Sequence, residues 1–172
     1  MKGLTGFQRP QGGRQGGVRR LWLVSAADIA SVSCSSGSCS EIRLVPGSRF
    51  TPYLFREDHA RYKETIIAAG GIAKVRHELS FALPKFDAGS ATAVDELLGT
   101  SPSGVIALAV TGGGDPLLIG WSGYFGTERP LKISRSVSDT GSSSADTAVR
   151  RVTLTCESIS PAMKFTGTLP DD

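Results

Sequence analysis

The chain has 172 residues, 40% of them hydrophobic and 20% charged, the size and balance of one folded domain. Its formal net charge of +3 is too small to mark a nucleic-acid binder by itself. No stretch reaches the roughly 18 to 20 consecutive apolar residues of a membrane helix, and three cysteines with two distant histidines make neither a disulfide framework nor a four-ligand zinc set.

Residues 1–20 interleave Gly3, Gly6, Gly12, Gly13, Gly16 and Gly17 with Lys2, Arg9, Arg14, Arg19 and Arg20, without apolar periodicity. They read as a flexible basic arm, either a solvated tail or a reach toward a neighbouring subunit or a nucleic acid. Arg19-Arg20 before Leu21-Trp22-Leu23-Val24 loosely imitates a signal peptide, but the apolar run is too short and Asp28 interrupts its continuation. Leu21 to Ala26 is therefore a first strand. Asp28 to Val32 is a short helical turn or its extension, and Ser33 to Ser40 is a loop. A Cys34–Cys39 bridge is geometrically possible across that loop; free thiols are the expectation, as in a reducing compartment. Glu41 to Val45 alternates as a second strand, paired with the first, and Pro46-Gly47 turns the chain. Arg49 to Asp58 places Phe50, Tyr53 and Phe55 around Pro52, a loop or edge strand. Its aromatics are either lids on the core or contact anchors for a partner.

The strongest local signal runs from Ala60 to Leu83. Gly70-Gly71 sits between two runs rich in β-branched residues, and a Gly-Gly step supplies the positive φ of a two-residue hairpin turn. That turn sets the register. Ala68 faces Ala73, Ile66 faces Val75, Glu64 faces His77, Tyr62 faces Leu79 and Ala60 faces Phe81, an apolar face with one Glu–His pair. The other face pairs Ile67 with Lys74, Thr65 with Arg76, Lys63 with Glu78 and Arg61 with Ser80. A slip of one residue would exchange buried for solvated positions.

Asp87 to Gly99 is the one convincing helix, capped by Ser90 or Asp87, with Ala91, Val94, Leu97 and Leu98 at helical spacing. Gly104 to Thr111, with Val105 to Val110 apolar on both faces, is a strand covered on two sides. Gly112-Gly113-Gly114-Asp115 then turns it back through a strand Leu117 to Tyr124. No helix or Lys comes after these glycines, so they are no phosphate loop. Gly126 to Pro130 turns again, Leu131 to Val137 is a strand, and Ser138 to Asp146 is a polar loop. Ala148 to Glu157 alternates, with Val152, Leu154 and Cys156 on one side and Arg151, Thr153, Thr155 and Glu157 on the other. Met163 to Thr168 is a last short strand, and 169–172 an acidic tail.

Catalytic machinery is not evident. Gly120-Trp121-Ser122-Gly123 misses the nucleophile-elbow spacing. His77 opposite Glu64 has the types of a base and its orienter, or of a self-satisfied buried pair. The expectation is no enzyme, no metal and no cofactor. What remains is an all-β domain with one helix, long hairpins and a basic arm, a design that works through edges and surfaces.

That layout resembles the tail tube, or major tail protein, family of long-tailed bacteriophages and related contractile injection systems. The resemblance rests on the early strands, the inserted loop Arg49 to Asp58, and the hairpin Ala60 to Leu83. It continues through the helix Ala91 to Leu98, the second hairpin Val105 to Tyr124, and the strand Val149 to Glu157 with Ser158-Ile159-Ser160-Pro161-Ala162. It implies a mainly β fold, a small β-barrel or sandwich of antiparallel hairpins with one flanking α-helix. A basic arm (1–20), a single β domain (21–168) and an acidic tail (169–172) make up the chain. It further implies a homo-oligomeric virion component assembled in the bacterial host cytoplasm. Identical subunits would form rings that stack into a tube, joined by other tail components, with DNA passing through the lumen unrecognised and no membrane involved. Arg61, Lys63, Thr65, Lys74, Arg76 and Glu78 would face the lumen, and Phe50, Tyr53 and Phe55 would serve an inter-subunit loop. One feature departs from the family pattern. A lumen for sliding DNA is acidic, because a basic wall holds phosphates, whereas this face carries four basic residues against one acidic. A monomeric protein- or carbohydrate-binding module using Tyr53, Phe55, Trp121 and Tyr124, and a nucleic-acid binder using the arm, are the alternatives.

Overall fold

The computed structural model describes residues 16–55, 58–84 and 86–171. It is mainly β, with one α-helix, arranged as two open sheets rather than a closed barrel. The first sheet has seven strands. Within it β1 (Val18–Ser25) runs antiparallel to β7 (Val105–Thr111). On one side of this pair lies the short edge strand β4 (Thr51–Pro52). On the other, β8 (Pro116–Ile119), β13 (Met163–Phe165), β3 (Ser38–Leu44) and β2 (Ile29–Ser35) come in that order. β13 runs parallel to β3, so the sheet is mixed. The second sheet is antiparallel throughout, in the order β11 (Lys132–Asp139), β12 (Val149–Ser158), β6 (Ile72–Pro84) and β5 (Ala60–Ala69). A small ribbon pairs β9 (Trp121–Ser122) with β10 (Thr127–Glu128).

Alternation along the central strands builds two cores. Leu21, Leu23, Ala107 and Ala109 point toward the second sheet. There they meet Leu79, Phe81, Val152 and Leu154, and Val94 and Leu97 of the helix α1 (Ala88–Gly99). Trp22, Val24, Ile106 and Leu108 point the other way. They are covered with Met163 and Phe165 by Ile29, Val32, Ile42 and Leu44 of β2 and β3 and by Phe50. Every residue from Val105 to Val110 is buried, as its unbroken apolar run implies. Asp87 caps α1 by accepting from the Ser90 N–H at 2.8 Å. Arg150 of β12 fastens the same end, donating to Ser90 Oγ at 3.1 Å and lying over the Phe86 ring at 4.5 Å. The helix buries Ser90, Val94 and Leu97; Leu98 is exposed, one step off the buried face.

The β5–β6 hairpin has the register that its glycines dictate, from Ala60 opposite Phe81 to Ala68 opposite Ala73. Gly70 and Gly71 hold φ of 61° and 82°, values that cost a side chain dearly. The apolar face, however, is buried only as far as Val75. Ile66, Ala68 and Ala73 are exposed, because the hairpin outruns the sheet beneath it.

Several expectations are corrected. The domain begins before Leu21: Val18 is buried, so 18–20 belong to β1 and not to an arm. Residues 1–15 lie outside the described residues. β1 pairs with β7 and β4, not with Glu41 to Leu44; the latter strand pairs with β2 and β13. Ser33 to Ser40 is no loop but the end of a hairpin turning at Ser36-Gly37, and Cys34 and Cys39, opposite each other across it, form a disulfide rather than free thiols. The strand expected from Leu117 to Tyr124 breaks at Gly120, which takes φ of 96°. A Cβ there would press on Ile106 Cδ1 at 3.1 Å and the Val105 carbonyl oxygen at 3.2 Å, and the left-handed φ at the kink favours glycine. β11 extends to Asp139, into the expected polar loop. The remainder of that loop is held by Asp146, which accepts from the N–H groups of Ser142 and Ser143.

Candidate assembly and contact surface

Cross-strand register places the polar residues of the second sheet in rows. Lys63, Glu78, Thr155 and Lys132 form one row across all four strands. Arg61, Ser80, Thr153 and Arg135 form the next. Thr65, Arg76 and Glu157 form a third, with Ile67 and Lys74 beyond it toward the tip. Ala82, Arg151 and Val137 lie on the opposite flank, with Asp139 at the far corner opposite Val149. Among the hairpin residues expected on this face, Arg61, Lys63, Thr65, Lys74 and Arg76 are exposed and Glu78 is half-buried.

The face is larger and more basic than the hairpin alone. β11 and β12 add Lys132, Arg135 and Arg151, giving seven cations against the carboxylates Glu78, Glu157 and Asp139. That surplus of four exceeds the whole chain's formal +3. Lys74 and Glu157 lie 3.9 Å apart; among the described residues no other ion pair joins two members of the face. The alternation of Arg151, Thr153, Thr155 and Glu157 was legible in sequence, but which strand lay beside the hairpin was not.

Both lateral edges of this sheet are unpaired among the described residues: β5 on one side and β11 on the other. At the tip, Ile66 and Ile67 are 63% and 54% exposed, on opposite faces of the same strand. A ten-residue edge strand with β-branched residues and no paired neighbour among the described residues is a template for another strand.

Behind the face, β5 and β6 carry a polar network in which His77 is buried, Tyr62 half-buried and Glu64 exposed. Tyr62 Oη lies 2.7 Å from Glu64 Oε1 and 2.6 Å from His77 Nδ1. His77 Nε2 is 3.1 Å from the Ser160 carbonyl oxygen, and the Ala162 N–H donates to Glu64 Oε1 at 2.6 Å. His77 and Glu64 stand 3.8 Å apart, joined through the phenol. Burial lowers the His77 pKa, against an opposing upward pull from Glu64. Burial also raises Tyr62, aided by Glu64, and pushes the free Cys156 thiol, opposite His77 on β12, up to about 12. The network thus ties the hairpin to the segment leading into β13, and so joins the two sheets. Ser160 Oγ is buried beside it without a partner.

The aromatic candidates do not converge. Tyr53 and Phe55 are half-buried against the core shared by the two sheets, and Tyr53 meets the Phe81 ring edge-on at 5.5 Å. Phe50 and Trp121 pack on the other core. Within the described part of the inserted segment Leu54 is exposed, at 77%. Tyr124 is 78% exposed and stacks edge-on with Phe125 in the β9–β10 turn. Among the described residues no group of three or more His, Cys, Asp or Glu could hold a metal ion, and no helix is long and apolar enough to cross a membrane. Comparison with protein-family models, with curated proteins and with solved structures returns no match to this chain.

Proposed function

We propose that this chain is a structural subunit that joins copies of itself, edge to edge, into a ring or tube of a phage-tail-like assembly. The observation that carries this reading is the four-stranded antiparallel sheet with an open edge on each side. Because four is even, β5 and β11 run in opposite directions. A copy placed head to tail therefore brings its β11 antiparallel to β5, and the alternation continues through every junction. Such a heterologous contact closes into a ring when the rotation between copies allows it. The exposed Ile66 and Ile67 would be covered in that contact.

In the assembly the polar face of the sheet would line the inside, with α1 and the seven-stranded sheet outside. Identical subunits and other tail components are then its partners, the virion tail its location after assembly in the bacterial host cytoplasm, and no chemical reaction its task. The test is electron microscopy and sedimentation of the full chain. Rings or tubes are expected, and Ile66→Asp with Ile67→Asp should abolish them while leaving the fold intact. A chain that stays monomeric up to its solubility limit and shows no ring or tube would overturn the reading.

A further inference from the structure

We propose that the outward face of the four-stranded sheet is a binding surface for the phosphate backbone of duplex nucleic acid, available on each single subunit. Its surplus of four positive charges is complementary to a polyanion, and the one ion pair within it, at 3.9 Å, leaves most of the cations able to displace counterions. Alternate residues on a strand stand about 6.8 Å apart and neighbouring strands about 4.8 Å, so the cations form a grid rather than a point. Ser80, Thr65, Thr153 and Thr155 lie among them, hydroxyls able to donate to phosphate oxygens.

The composition of the face selects among polyanions. Its described residues include no aromatic ring, so it offers neither the stacking platform of a single-strand binder nor the aromatic anchors of a helix lying in a lipid interface. It presents no helix or loop to enter a groove, so contact stays on the backbone and does not read sequence. The modest charge of the whole chain conceals this surface, because most acidic residues lie elsewhere.

The test uses the full chain and a fluorescent 20-base-pair duplex, with anisotropy read across a salt series. Two unrelated sequences should bind equally. The slope of log affinity against log salt should be about −4, from about −0.9 per phosphate contact and the surplus of four. Lys132→Ala, Arg135→Ala and Arg151→Ala together should weaken binding at least tenfold and bring the slope near −1. Arg61→Ala with Lys63→Ala, on a different strand, should act in the same direction, which guards against a folding defect in the first variant. Absence of duplex binding at low salt overturns the proposal. So does binding unchanged by either variant, or binding lost only when Lys2, Arg9 and Arg14 are replaced by Ala. Binding of phosphatidylserine vesicles without duplex binding overturns it in favour of a lipid surface. The Ile66→Asp chain, changed on the opposite face of β5, separates this proposal from assembly: it should be monomeric and still bind duplex.

Discussion

The Tyr62 hydroxyl lies 2.6 Å from His77 Nδ1 while also 2.7 Å from Glu64, so one phenolic proton faces two acceptors. His77 Nε2 meets a carbonyl oxygen and must therefore carry a hydrogen. In the neutral ring, Nδ1 is then an acceptor. The phenol can donate to His77 or to Glu64, but not fully to both. All four contacts carry a hydrogen only when one further proton enters the network, on His77 Nδ1, so that the ring donates to the phenol and the phenol to Glu64.

Burial outweighs the pull of that network toward a further proton and sets the direction of the pH dependence. The folded His77 pKa is held below the ordinary 6.5, first by burial. As pH falls below 6.5 the unfolded chain takes up a proton before the folded chain does, and stability declines. The contribution is fully present above 6.5 and is lost as pH falls through the depressed folded value. Urea midpoints at pH 7.5 and 5.5 should show a drop on acidification, and His77→Gln should reduce that drop while lowering stability at both pH values.

Reduction of the Cys34–Cys39 bridge should cost about 2 kcal/mol, the chain-entropy value for so short a loop. Cys39 is fully buried in the second core, its sulfur 3.5 Å from Met163 Sδ, and the turn at Ser36-Gly37 is held by the ladder on either side. The hairpin should therefore survive reduction. Denaturant titration with and without dithiothreitol measures the difference. Cys156, its thiol raised by burial, should resist iodoacetamide in the native chain and react on unfolding.

Salt should move assembly and duplex binding in opposite directions. Arg61 and Lys63 lie on β5, and Lys132 and Arg135 on β11, so a junction between these edges brings like charges together. Screening relieves that repulsion, and sedimentation should show larger species at about 0.3 M salt than at low salt. Duplex binding should weaken over the same range. Lys63→Glu should shift assembly to lower salt.

Local chemistry in the sequence determined the β5–β6 register, a capped start to α1 at Asp87 or Ser90, the two-sided burial of Val105 to Val110, and the alternation of β12. Each depends on residues close together in the chain: a Gly-Gly turn, a carboxylate three residues from an N–H, a period of two. Tertiary packing decided the rest. β1 lies against β7 and not against the nearer Glu41 to Leu44, a place where Leu21 meets one core and Trp22 the other. Gly120 broke its strand by taking a left-handed φ where β7 passes close by. The hairpin's apolar pattern continued to Ala68, but burial ended near Val75 because the neighbouring strands stop. The basic surface emerged only when β11 and β12 were laid beside the hairpin. Strand neighbours are chosen by burial across long chain separations, which local pattern does not specify.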